Sequence, residues 1–223
     1  MTATKLPFTE ILKSVPGLFG IRLEEEPRYE VLEHLGEGEA IEVRRYAPAL
    51  LARVTVAGDH DEAVDEGFDR LARYIFGENR PAGLVGMRRA GDAAANSDGD
   101  GAGGERMAMT IPVRQEQVAG GWTIGFFLSN DLEASGAPQP NDAGIELVRE
   151  PVRVVAALRY RGNNSDERRL AATQELLAAL AGSPRWRADD EVNWAQYDAP
   201  FVIPFLKRNE AQVAVKPRVA LVP

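Results

Sequence analysis

Few residues in this chain could do covalent, redox or metal chemistry. There is no cysteine, which removes disulfides, thiolate metal sites, iron–sulfur clusters and thiol nucleophiles together. His34 and His60 are the only histidines, too few for a multi-histidine centre. Ser, His and Asp occur without the spacing of a triad. There is no Gly-x-Ser-x-Gly elbow, phosphate-binding glycine loop or dinucleotide fingerprint. The acidic pairs Asp59/Asp61 and Asp65/Glu66 fall at a helix start and on its polar flank, so they read as solvated, cap-stabilising groups. These residues make no independent case for an enzyme.

Three strings are less ordinary: GFDRLARYIFGEN at 67–79, MAMTIPV at 107–113 and YDAPFVIPFLKRNE at 197–210. In the second, Met107 and Met109 are expected on one face of a strand. In the third, Tyr197, Phe201 and Phe205 are interleaved with Pro200 and Pro204. Taken singly, the methionines read as core filling and the aromatic loop as a proline-stiffened closure. Together they suggest a flat apolar crevice rimmed by arginines, open to a planar amphiphile.

The chain has 223 residues, 44% hydrophobic and 27% charged, enough for one good core or two small ones. A net charge of −8 opposes general nucleic-acid binding, whose footprint is basic. Mean hydropathy is −0.27, and no run approaches the roughly 18 apolar residues of a membrane span. Residues 1–27 have a broken apolar pattern with an early Glu10 and lack the features of a secretory signal. The expectation is a soluble, cytoplasmic protein with no membrane or nucleic-acid partner.

The elements that must position these groups come in two copies. IEVRRYAPALLARVTV at 41–56 returns as IELVREPVRVVAALRY at 145–160, each read as one strand with a proline bend. A helix is expected after each. The first starts at Asp59, buries Val64, Gly67, Phe68, Leu71, Tyr74 and Ile75, and closes at Gly77. The second is capped at Asn164-Ser165, buries Leu170, Leu176, Leu177 and Leu180, and ends at Gly182 and Pro184. Further strands are expected at 28–33, 106–118, 122–129, 191–197 and 209–216, with a proline-bearing loop at 135–144. Residues 89–105 are glycine-rich and acidic, and read as a disordered surface loop. The domain plan is an N-terminal segment 1–27 and one domain 28–217, with halves at about 28–118 and 122–217. The fold class is α+β: two pseudo-twofold βαββ units forming a distorted antiparallel barrel or curved sheet with two packed helices.

The motifs YEVLE, IEVRRYAPA, GFDRLARYIFGEN, MAMTIPV and the terminal Tyr…Ala-Pro-Phe…Lys-Arg-Asn-Glu stretch occur in an order and spacing that resembles the SOUL haem-binding protein family. The likeness runs from about Tyr29 to Val215, and FGIRLEEEPRYEV is similar to bacterial members. It implies the same duplicated fold, of the GyrI-like effector-domain type, and reversible, non-covalent binding of b-type haem or another porphyrin for buffering or transfer. It implies an apolar pocket bordered by the first helix (Val64, Phe68, Leu71, Ile75) and the late loop (Tyr197, Phe201, Pro204, Phe205), with Met107, Met109 and Arg208 beside them. Arg70 and Arg73 match or neighbour propionate-holding positions, where a two-pronged guanidinium suits carboxylates. In some animal members a histidine proposed as iron ligand stands where this chain has Arg45, which cannot coordinate iron. His60 is the nearest substitute, although a helix-start histidine is ordinarily a surface group; no axial ligand is assigned. The alternatives are a hydrolytic or haem-modifying GyrI-like enzyme, recognisable by a pocket acid with a raised pKa, and partner docking through 8–19 or the acidic loop.

Overall fold

The computed structural model describes residues 25–36, 40–80, 104–198 and 207–218. Each of the two recurring stretches, expected as one bent strand, is two strands that do not pair with each other. They are β2 (Ile41–Tyr46) and β3 (Ala49–Ala57), then β8 (Ile145–Glu150) and β9 (Arg153–Arg161). β2 runs antiparallel to β9, from Ile41 opposite Leu158 to Tyr46 opposite Arg153, and β3 to β8, from Ala49 opposite Glu150 to Val54 opposite Ile145. Each copy thus donates its leading strand to the other. Pro48 and Pro151 sit at the two crossings, where the absence of a backbone donor costs no ladder bond.

The rest of the sheet follows the duplication. With β1 (Tyr29–Leu35), β5 (Val113–Val118), β6 (Gly121–Phe127), β11 (Asn193–Gln196) and β12 (Arg208–Pro217), the order is β1-β2-β9-β12-β11-β5-β6-β3-β8. β10 (Trp186–Ala188) branches from β12, and β4 (Asn79–Arg80) pairs separately with β7 (Gln139–Pro140). The units β3-helix-β5-β6 and β9-helix-β11-β12 meet where β5 pairs with β11, so the strand at 121–127 serves the first unit. The path ends at β1 and β8 without closing, which makes a curled antiparallel sheet. The α+β class and the duplicated architecture expected from the sequence are those of the structure.

Three helices occur among the described residues: α1 (His60–Ile75), α2 (Asn130–Ser135) and α3 (Asp166–Gly182). The α1 start is local chemistry. The Asp59 side chain accepts from the Glu62 N–H at 3.0 Å, with Asp61 and Glu62 in the first turn. Gly77 leaves the helix with φ +116°, a conformation that favours glycine. Gly67 acts by closeness: a Cβ there would lie 2.6 Å from Ile124 Cγ1 of β6, so only hydrogen lets α1 reach the sheet.

α3 corrects one expectation. Leu176 and Leu180 are buried, but Leu170 is 59% and Leu177 40% exposed, and Arg169 and Ala172 take the inner face. The helix carries leucine and alanine all round, so leucine spacing could not select the buried stripe; the reach of Arg169 to two tryptophans did. The stretch 106–112 is not a strand, making only an isolated bridge from Thr110 to Glu25 before β5 begins at Val113, and 135–144 contains the end of α2 and β7. Residues 89–103 of the expected disordered loop and residues 1–24 lie outside the described residues.

The sheet has two unlike faces. The helices cover one, where Val43, Ala52, Val54, Ile124, Phe126, Ala156, Leu158, Ala211 and Val213 join Leu71, Ile75, Leu176 and Leu180 in the main core. Strand alternation sends Glu42, Arg44, Tyr46, Arg153, Arg208 and Glu210 to the other. That face has only a small apolar cluster, Ala49, Leu51 and Phe127. No helix among the described residues is long and apolar enough to cross a membrane.

Candidate functional site

The expected pocket residues fall into separate groups. On α1, Leu71 and Ile75 are fully buried in the core. A ligand could touch them only if the helix left the sheet. Val64 and Phe68 are half-buried on its flank, and the Phe68 ring meets Phe126 edge-on at 5.2 Å. Met107 is tied to the helix end by its N–H to the Ile75 carbonyl at 2.9 Å and is buried, while Met109 packs against the same core. These six residues are one neighbourhood.

The α1 arginines differ. Arg70 donates to both Asp142 oxygens, at 2.7 and 3.0 Å. That pair raises its pKa, and the bond from Arg70 holds the Asp142 carboxyl below its usual range. Gly144 makes the approach possible, since a Cβ there would meet Arg70 Nη2 at 2.2 Å. Arg70 is therefore already engaged. Arg73 is 43% exposed and only 3.7 Å from Glu78, which leaves it available to an incoming carboxylate.

Tyr197 and Arg208 stand apart, on the opposite face of the sheet. The Arg208 guanidinium lies 3.7 Å from the Tyr197 ring centroid, and both turn to Glu210. Glu210 is fully buried and accepts from Arg44 (2.7 and 3.1 Å), Arg208 (2.8 and 3.2 Å), Tyr197 (2.9 Å) and Gln212 (2.9 Å). Burial alone would raise this carboxyl, but the bonds and charges of Arg44 and Arg208 outweigh it and hold the pKa at about 2. Phe201, Pro204 and Phe205 lie outside the described residues.

His60 occupies a third place, where the starts of α1 and α3 meet. Its Nδ1 is 2.8 Å from Asp61 and its Nε2 2.9 Å from Gln115 Oε1. Arg169 Nη1 lies 3.1 and 3.0 Å from the two nitrogens, and Trp122 meets the ring edge-on at 4.7 Å. A backbone carbonyl fixes the amides: Gln196 Nε2 donates to Asp198 O, Gln115 Nε2 to Gln196 Oε1, and Asn164 Nδ2 to Gln115 Oε1. The oxygen facing His60 Nε2 is thus an acceptor, so that nitrogen carries a hydrogen. The side chain is 12% exposed; it is a satisfied, mostly buried group rather than a surface one.

Haem fits these residues in part. Val64, Phe68 and Arg73 offer an apolar flank and a cation, as a macrocycle edge and a propionate require. Among the described residues, the histidines, Arg45, Tyr197 and Met107 are not placed to bind the iron. Arg45 is half-exposed on β2, paired with Glu30; His60 and Tyr197 are spent; Met107 is buried; His34 is exposed on β1. No group of three His, Asp or Glu able to hold a metal occurs among the described residues.

Sequence reasoning missed Arg44, Glu210, Arg169 and Gln115. Alternation signalled the first two: Ile41-Glu42-Val43-Arg44 and Glu210-Ala211-Gln212-Val213 put charge on one face and aliphatic groups on the other.

Comparison with known proteins agrees with the fold. The structure is similar to the C-terminal domain of EcmrR, at 9% identity and a TM-score of 0.51, covering 79% of this chain and 96% of that one. It is also similar to a hydrolase encoded by lin2189 from Listeria innocua, at 12% identity and a TM-score of 0.45, covering 79% and 91%. At 9% identity the likeness to the EcmrR domain concerns the fold alone. No curated protein matches the chain. The family described as SOUL heme-binding protein matches residues 24–89 and 94–214, nearly the whole length, and the chain belongs to that family.

Proposed function

We propose that this protein reversibly binds haem or a related tetrapyrrole through the macrocycle and its propionates, without a protein ligand to iron, for buffering or transfer. Family membership carries the reading. The α1 flank specifies it: Phe68 and Val64 would take the apolar ring, Arg73 a propionate. Binding is non-covalent, since thioether attachment needs cysteine and the chain has none. Haem bound here would be open to exogenous axial ligands, and with no protein–iron bond to break it could be passed on readily.

The structure does not favour the enzyme alternative. Glu210, the fully buried acid, is depressed rather than raised. Asp65, whose carboxyl partial burial and its neighbours Asp69 and Asp61 push up, is exposed on α1.

The test is a pair of titrations, with hemin and with metal-free protoporphyrin. Both should saturate, with affinities within about threefold, because no iron–protein bond adds its energy to one of them. Phe68→Asp should weaken both by about tenfold or more, the cost of a buried charge against an apolar ring. An absence of saturation, or hemin tighter by about a hundredfold with Phe68→Asp silent, sinks the proposal.

A further inference from the structure

The two long helices occupy equivalent places in the repeat, yet their outward faces differ. On α1 the exposed residues Asp61, Glu62, Asp65, Glu66 and Arg73 are all charged. On α3 the side turned away from the sheet carries Leu170, Ala171, Gln174, Leu177, Ala178 and Ala181, every one exposed. Leu170 is 59% and Leu177 40% exposed, while Ala172, Leu176 and Leu180 face the core. With 3.6 residues per turn, these six fall within about 120° centred on Gln174. The fold does not require such a stripe, since α1 packs on the same sheet without one.

The stripe is self-complementary. Leu170 and Leu177 form a row on one side of Gln174, and Ala171 and Ala178 a row on the other, each at heptad spacing. Gln174 is the middle residue of Asp166–Gly182. A two-fold axis passing there keeps each row on its own side and reverses its direction. Leu170 of one copy then meets Leu177 of the other, and Ala171 meets Ala178. The two Gln174 amides meet on the axis, where each has a donor for the other's acceptor. Charge agrees with the antiparallel sense. Asp166 and Glu167 are exposed in the first turn, and Arg185, Arg187 and Arg218 are exposed just beyond the last. Each acidic start is thereby set beside the other copy's basic end, whereas a parallel pair would put acid against acid. Arg168 lies off the stripe, donating to the Arg161 carbonyl.

We propose that the outward face of α3 is a docking surface for a second copy of this chain, packed antiparallel about Gln174. The contact is one helix long, about 25 Å. A single helix pair buries less than the roughly 1,200 Å² at which standard interfaces begin, so the dimer is reversible and half-associated at about tens of micromolar. This surface is separate from the α1 flank and does not depend on the tetrapyrrole reading.

Sedimentation equilibrium of the full chain, from about 1 to about 500 μM, should show a monomer passing into a dimer. Leu177→Glu changes an exposed position that the monomer does not need. It should raise the dissociation constant by about tenfold or more, since it sets a charge against Leu170 of the other copy. The absence of cysteine gives a second readout. At the axis, Gln174→Cys should close a disulfide with its mate under mild oxidation, because that bond needs Cα atoms within about 7 Å. Ala181→Cys, whose mate would lie about 20 Å away across the axis, should stay reduced. Association undiminished by Leu177→Glu, or cross-linking of Ala181→Cys as readily as of Gln174→Cys, would overturn the assignment. So would a monomer throughout the range, which would give the stripe to another segment of this chain or to a different protein.

Discussion

Two arginine–glutamate clusters share the sheet face that the helices leave bare, and they are built to opposite ends. Around Glu210, two guanidiniums, a phenol and an amide converge on one carboxylate that is fully buried. Around Glu150, two guanidiniums again meet one carboxylate, but Arg114 Nε and Glu150 Oε2 are both buried without a hydrogen bond. The first is a finished clamp: it joins Arg44 of β2, donated by the first copy, to β12 of the second, and has nothing left to offer a ligand. The second is unfinished: a buried donor and a buried acceptor stay unpaired, and each carries a desolvation cost that no bond offsets. The difference teaches that saturation, more than charge or burial, separates an arginine cluster that clamps a fold from one that adds little to it.

The largest expected break in that comparison is Glu210→Gln. It takes from Arg44 and Arg208 the buried counter-ion they share, leaving them only the more exposed Glu42 and Glu26, and should cost about 3 kcal/mol, the low end of the penalty for breaking a buried pair. Glu150→Gln, at the less saturated cluster, should cost only about 1–2 kcal/mol, because its carboxylate makes fewer bonds. Denaturant unfolding measures both, and equal costs would erase the distinction.

Acid sharpens it next. A carboxyl depressed from 4.5 to about 2 stabilises the fold above its unfolded pKa, and that contribution fades as pH falls towards the folded value. The sign is therefore a loss on acidification, roughly 3 kcal/mol in all between pH 4.5 and 2. Stability curves of wild type and Glu210→Gln should converge over that window; parallel curves would contradict the clamp. The smallest effect belongs to Arg45→Ala. Its pair with Glu30 is exposed on both sides, so unfolding should shift by less than about 0.5 kcal/mol. A larger change would mean that the position of the animal histidine is structural here.

Much of the fold was legible along the chain because its signals are local. Asp59, the spacing from Val64 to Ile75, and Gly77 each act within a turn or two, and α1 follows them closely. The two motif copies announced the duplication. α3 was legible only in extent: its leucines point in several directions, and the choice of Arg169 over Leu170 depends on Trp122 and Trp194, which lie 5.3 and 5.8 Å from that guanidinium. The candidate site was legible as a set of motifs but not as a place. Tyr197 and Arg208 read as partners of α1, yet strand alternation turned them to the far face.

The sequence by itself determined the family, the βαββ repeat, the α1 caps and the absence of cysteine chemistry, since these rest on identity, spacing and bonds between near neighbours. Only the tertiary structure decided that each copy lends its first strand to the other, which arginines are spent, and which are left open. Those outcomes depend on pairing across more than a hundred residues, as between Arg44 and Glu210, 166 positions apart. Hydrogen-bond saturation is a property of the assembled surroundings, and no residue carries it alone.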